Sequence, residues 1–165
     1  MNGGSFELLE MSASKRLDSH IGWMTHAIEL ARRSERSDEV PVGAVVVAGD
    51  RIVGEGWNQP ISLSDPTAHA EIIALRQAAN ELNNYRLVDC TLYVTIEPCT
   101  MCAGALVHAR VKRLVFGALE ARAGAVVSSA EVLNNPNLNH KVEVVSGVLA
   151  EECGELVRSY FQLKR

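Results

Sequence analysis

Three residues able to bind a metal and one carboxylate able to move a proton stand in two short stretches of the chain. His69, Ala70 and Glu71 form the first, and Pro98, Cys99, Thr100, Met101 and Cys102 form the second. A structural zinc normally takes four protein ligands, whereas a catalytic zinc takes three and leaves a position for water. Two thiolates and one imidazole match the catalytic count, and Glu71 is then left over for proton transfer to and from that water. Hydrolysis is the chemistry that this set predicts. Thiolate and imidazole donors also select zinc over hard cations such as magnesium, so one zinc per chain is expected.

The spacing requires two helices to present these groups. Pro98 suits the first position of a helix running through Ala103 to Ala109, which would put the sulfurs of Cys99 and Cys102, three apart, on one face near a helix N-terminus, where thiols ionise more easily. Asp65, Pro66 and Thr67 resemble a start signal with Thr67 as the cap, placing His69 and Glu71 in the first turn of a helix reaching about Leu82. Residues two apart on a regular helix of about 3.6 residues per turn diverge by roughly 200°, so His69 is expected to bind the metal while Glu71 reaches past it. A lone CxxC could also be a redox pair or half of a four-cysteine site. Cys90, just before an apolar strand, and Cys153, in a late amphipathic segment, are in no CxxC pair, which argues against the latter.

The chain has 165 residues and suits one domain able to bury a core without disulfides. Four cysteines without a secretory signal suggest a cytoplasmic location. Apolar runs such as Val42 to Ala48 are too short to span a membrane. The net charge of -4 is unevenly spread: residues 1 to 103 hold 8 Lys/Arg against 14 Asp/Glu, residues 104 to 165 hold 8 against 6. That permits a local basic surface built from Arg110, Lys112, Arg113, Arg122, Arg158, Lys164 and Arg165, or merely a solvated face.

Residues 1–18 lack sustained periodicity and read as a mobile leader ahead of a domain at 19–165, with Met11 an alternative start. Ile21 to Arg33 has helical spacing; Val42 to Ala48 and Arg51 to Trp57 read as a hairpin around Gly49 and Asp50. Thr91 to Ile96, the cysteine helix and Val111 to Gly117 form a βαβ unit with parallel strands, which sends the candidate ligands to one sheet edge. Val142 to Val145 and Ala150 to Leu163 complete a mixed sheet of about five strands between helical layers.

HxE paired with PCxxC is the general signature of zinc deaminases. The stretches PVGAVVV (Pro41 to Val47), GEGWN (Gly54 to Asn58), DPTAHAEIIALR (Asp65 to Arg76), NYRL (Asn84 to Leu87) and TLYVTIEPCTMCAGALVHARV (Thr91 to Val111) closely resemble the bacterial tRNA adenosine deaminases. The likeness runs from about Ile21 to the C-terminus. It implies the cytidine deaminase-like fold, a three-layer α/β/α arrangement, a homodimer, and conversion of adenosine to inosine at the wobble position of a tRNA anticodon stem-loop. It assigns His69, Cys99 and Cys102 as zinc ligands and Glu71 as the proton shuttle. Asn58 corresponds to an asparagine contacting the flipped base, and Arg122 and Phe161 to a basic and an aromatic residue contacting the anticodon loop. Glu120 and Val127 depart from the aspartate and glycine common in relatives. The competing expectation is a deaminase of a free base or nucleoside (cytidine, guanine or adenine), with zinc as a folding staple in a binding module a third.

Overall fold

The computed structural model describes residues 4–165. Helix α1 spans Gly4–Arg36, followed by β1 (Gly43–Ala48), β2 (Arg51–Trp57), the short α2 (Pro60–Leu63), α3 (Ala70–Glu81), β3 (Cys90–Ile96), α4 (Thr100–His108), β4 (Arg113–Ala118), β5 (Glu143–Ser146) and α5 (Ala150–Leu163). The order in the sheet is β2-β1-β3-β4-β5. β1 is antiparallel to both β2 and β3, while β3, β4 and β5 are parallel. The expected hairpin, βαβ unit, fifth strand and closing helix are all present.

Alternation along the strands explains the layers, because successive side chains leave opposite faces of a sheet. Ala44, Val46, Leu92, Val94, Leu114 and Phe116 point to one face and pack on Ala70, Ala74 and Ala78 of α3 and on Ala103, Leu106 and Val107 of α4. Val45, Val47, Tyr93 and Val115 point to the other and meet Met24, Ala27, Ile28 and Leu30 of α1 and Cys153 of α5. This is the expected three-layer α/β/α arrangement.

Two glycines of β2 fix where α3 lies. A Cβ on Gly54 would stand 2.2 Å from the Ala74 carbonyl oxygen, and one on Gly56 would stand 2.1 Å from that of Ala70. The helix backbone therefore rests directly on the strand backbone, which only glycine allows. Because Ala70 opens α3, this contact also sets the position of His69 and Glu71.

One expectation needs correction. The first helix starts at Gly4 and not near Ile21, so polar, weakly periodic residues are helical well ahead of the part that packs on the sheet. Residues 1–3 and the side chains of 4–14 and 17 lie outside the described residues, and with them the expected mobility of the leader and the part played by Met11. Between β2 and α3 the chain also forms the short helix α2, where no element was expected. Its support is Glu39, whose carboxylate accepts the backbone N–H of Ser62 at 2.7 Å and its hydroxyl at 2.9 Å.

Candidate active site

The topology brings separate stretches of sequence to one edge of the sheet. β3 and β4 end there, and the antiparallel pairing of β1 places its beginning and the end of β2 beside them. Val42, Asn58, Glu97, Cys99 and Glu120 consequently line one cavity of about 160 Å³, together with His69, Glu71 and Phe161. Clefts outside the carboxyl ends of parallel strands are the usual place for a ligand in such sheets.

His69 does not lie within α3. It is the N-cap residue, with extended φ -72° and ψ 152°, so its direction is free of the helical phase and the 200° divergence from Glu71 expected for two positions of one helix does not arise. Thr67 is not the cap either. Its N–H and hydroxyl donate to Asp65 Oδ1 at 2.8 Å and 2.7 Å, shaping the turn before the helix. The N–H of Ala70 instead donates to Asn58 Oδ1 at 2.9 Å, so an asparagine at the end of β2 satisfies the first donor of α3. Cys99 occupies the same position on α4, as an extended N-cap with φ -74° and ψ 175°, and Pro98 therefore precedes the helix instead of opening it. Cys102 follows in the first turn and is fully buried.

His69 Nδ1 is 3.6 Å from each cysteine sulfur, and the three donor atoms all lie within 4.8 Å of one another. Zn–S bonds of about 2.3 Å and Zn–N bonds of about 2.0–2.1 Å at tetrahedral angles put sulfur and nitrogen roughly 3.6 Å apart, so this donor set fits zinc. The three donors share their protons unevenly. Hydrogen bonds from Cys102 and His69 hold the Cys99 thiol down to about 3, whereas hydrogen bonding to Cys99, followed by burial, pushes Cys102 up. The bond with Cys99 likewise raises His69. Lowering a thiol in this way favours the thiolate, the form that binds metals.

Glu71 is 3 % exposed, and it is not part of the three-donor group. Burial pushes its carboxyl above the ordinary value, more than the neighbouring His69 and the Cys102 hydrogen bond hold it down. Asn58 faces the same cavity with its Oδ1 engaged by Ala70, which leaves its amide nitrogen to donate. Phe161, at the end of α5, forms part of the cavity wall.

Arg122 is exposed and does not line this cavity. It lines an adjoining groove of about 600 Å³, which shares Glu120, Val157 and Phe161 with the cavity and also carries Arg158, Lys164 and Arg165. Two of these cations are matched by acids: Arg158 with Glu151 and Glu155, each at 2.8 Å, and Lys164 with Asp38. The expected single basic surface is divided. Arg113 begins β4 with Lys112 just ahead of it, at the opposite edge of the sheet from the cavity, where they pair with Glu143 and Asp89.

Glu97 is a site residue that motif reading missed. At 2 % exposure, it accepts hydrogen bonds from the backbone N–H groups of Glu120, Val126, Val127 and Ser128 at 2.8 to 3.1 Å, and from the Ser128 hydroxyl. Burial alone would raise its carboxyl, but these bonds outweigh that effect and hold it below the ordinary value. The donors lie 23 to 31 residues further along the chain, so no local pattern announces them.

Known proteins match this arrangement closely. The profile of the cytidine and deoxycytidylate deaminase zinc-binding region matches residues 17–118. A tRNA-specific adenosine deaminase of Haemophilus influenzae is 56 % identical over 143 residues, covering 86 % of this chain and 83 % of the relative. That of Bacillus subtilis is 41 % identical, covering 85 % and 87 %. A solved structure from a study of A-to-I editing by tRNA:A34 deaminases at the wobble position superimposes with a TM-score of 0.80 at 41 % identity, covering 82 % of this chain and 98 % of that one. A guanine deaminase from Nitrosomonas europaea superimposes at 0.73 with 25 % identity, covering 85 % and 83 %. The matched region carries β1 to β4 and both helices that present the metal donors, and so the chain belongs to the cytidine and deoxycytidylate deaminase family, grouped with the tRNA-specific adenosine deaminases.

Proposed function

We propose that the chain hydrolyses the wobble adenosine of a tRNA anticodon to inosine, with one zinc held by His69, Cys99 and Cys102. The observation that carries this is Glu71, a buried carboxylate that no ligand set requires, lining a cavity with His69 and Cys99 of the three-donor group while Cys102 lies buried behind them. Zinc would supply the Lewis acidity that brings the pKa of a water toward neutrality. Glu71 takes the proton of the attacking water and delivers it to N1 of the adenine. The water oxygen bonds to C6, Glu71 takes the remaining proton from that oxygen and hands it to the amino group, and the C6–N bond breaks so that ammonia leaves and inosine remains. The amide nitrogen of Asn58 donates to the base, which fixes the ring against Glu71. A base inside a stack is out of reach and must be splayed out at a cost of a few kcal/mol, which a single-stranded anticodon loop keeps low.

RNA is favoured over a free base by what adjoins the cavity. The groove bearing Arg122, Arg158, Lys164 and Arg165 is continuous with it and offers cations to phosphates flanking the splayed base. The relatives named for tRNA deamination are also far more similar to this chain, at 56 % and 41 % identity, than the guanine deaminase at 25 %. Residues 19–165 form the working domain, which acts as a homodimer in the cytoplasm. Among the described residues no helix is long and apolar enough to cross a membrane.

The test is to incubate purified protein with a panel of tRNAs, an isolated anticodon stem-loop and the free bases and nucleosides. Inosine at the wobble position of a folded tRNA, read by sequencing, supports the proposal. Efficient turnover of free guanine, cytidine or adenine without tRNA editing would replace it with the small-molecule alternative.

A further inference from the structure

Taking RNA deamination as the reaction, we propose that Glu97 is a positioning residue for the substrate: its carboxylate holds the loop after β4 so that Glu120 and Arg122 are presented at the mouth of the active site. This rests on the function proposed above, and one arm of its test is independent of that function.

Five donors converge on this carboxylate. Oε1 accepts the N–H groups of Val126, Val127 and Ser128 at 3.1, 2.8 and 2.9 Å. Oε2 accepts the N–H of Glu120 at 3.1 Å and the hydroxyl of Ser128. An ionised carboxylate offers about four lone-pair sites, so Glu97 has no capacity left to move protons, although it stands on the cavity wall. It is not in the three-donor group either. What remains is mechanical. Glu97 directly follows β3, two residues before Cys99, and its own N–H donates to the Ala118 carbonyl at 2.8 Å while the N–H of Ala125 donates to the Pro98 carbonyl at 2.8 Å. The metal-donor segment and the loop are thereby one unit with a buried charge at its centre.

Loop and carboxylate are fitted to each other. A Cβ on Gly124 would stand 2.4 Å from Glu97 Oε2 and 2.4 Å from the Glu120 carbonyl oxygen, so only glycine lets the chain wrap this closely. Glu120 in turn accepts the Arg122 N–H at 2.9 Å, which shapes the turn carrying Arg122. Glu120 lines both the cavity and the groove, and Arg122 lines the groove. Substrate contacts made on this loop therefore depend on an acid two residues from a metal donor that itself touches neither metal nor base.

The full-length, zinc-loaded chain is compared with Glu97→Ala, Glu97→Gln and Gly124→Ala by amide hydrogen exchange, zinc content and steady-state kinetics on tRNA. In Glu97→Ala the amides of Glu120, Val126, Val127 and Ser128 should exchange at least about tenfold faster, the equivalent of one charge-assisted hydrogen bond. Zinc should stay at one per chain, and the larger part of the kinetic loss should be a rise in KM for tRNA of about tenfold. Glu97→Gln keeps one acceptor oxygen for three of the donors and should fall between Glu97→Ala and the parent. Gly124→Ala should reproduce the KM rise from the loop side. Unchanged exchange at the four amides overturns the proposal, as does loss of zinc and kcat with KM intact, which would make Glu97 a prop for the cysteine helix. Should Glu97→Ala not fold, the other two variants decide. A parent inactive on every tRNA would defeat the function proposed above, while the exchange arm would still decide whether Glu97 holds the loop.

Discussion

Asn58 is predicted to do two separable things, and two substitutions distinguish them. Its Oδ1 accepts the Ala70 N–H at 2.9 Å, the first donor of α3, and its amide nitrogen is left to face the cavity. Asn58→Ala removes both. Losing such a helix-start acceptor costs about 1 kcal/mol of stability, which in a chain of this size lowers Tm by roughly 2–4 °C. Losing a neutral hydrogen bond to the base raises the barrier by about 0.5–1.5 kcal/mol, a slowing of up to about tenfold. The loosened start of α3 also carries His69 and Glu71, and misplaced groups add to that slowing. Asn58→Asp keeps an acceptor for Ala70 and places a negative charge near the positive end of the helix, so its Tm should match or exceed the parent's. It has lost the amide donor, so its deamination should still be slow. The assays are thermal melting followed by circular dichroism and single-turnover inosine formation on saturating tRNA. Asn58→Asp editing at the parental rate would refute the recognition role, and Asn58→Ala melting with the parent would refute the capping role.

Glu71→Ala should retain zinc and fold but lose more than about tenfold in rate, since less than ~1.4 kcal/mol of barrier is too little for a proton shuttle; zinc analysis beside single-turnover kinetics checks this. Cys99→Ala and Cys102→Ala should each lose both metal and activity, and elemental analysis finding zinc still bound at one per chain would remove these residues from the ligand set. The combined Arg158→Ala, Lys164→Ala and Arg165→Ala variant should raise KM for tRNA and flatten its dependence on salt, because fewer phosphates are neutralised and fewer counterions released. Its surface ion pairs are each worth about 0–1 kcal/mol, so stability should change little; binding like the parent's at every salt concentration would place RNA elsewhere.

The chemistry was legible in the sequence because the metal donors and Glu71 sit in two short motifs whose residue types have few other uses together. The sheet was legible for a similar reason: β1, β3 and β4 are β-rich runs closed by turns or helix starts, and their order allows only one common edge. Geometry between motifs was less accessible. Ordinary helix-start rules put His69 inside a helix and made Thr67 its cap, whereas Asn58, brought in from the neighbouring strand, takes over that role. Glu97 does not stand out in the sequence, because backbone donors folded back from residues 120–128 have no side-chain signature. The basic residues counted along the second part of the chain fell into two groups because β4 carries some of them to the far edge of the sheet.

The seam between β2 and α3 has a consequence for how such a protein can vary. Cores usually absorb substitutions by shifting side chains between rotamers, and the elements around them drift by fractions of an ångström. Here Gly54 and Gly56 meet Ala70, Ala74 and Ala78, none of which has a side-chain torsion to adjust. The spacing between helix and strand is therefore held by backbone contact and passes on little of the repacking that happens elsewhere. Substitutions can accumulate in the larger side chains of the two apolar layers while the ground on which His69 and Glu71 stand stays level. The same rigidity makes the seam itself intolerant, since one added methyl group has nowhere to go and would lift the helix together with the end that carries His69 and Glu71.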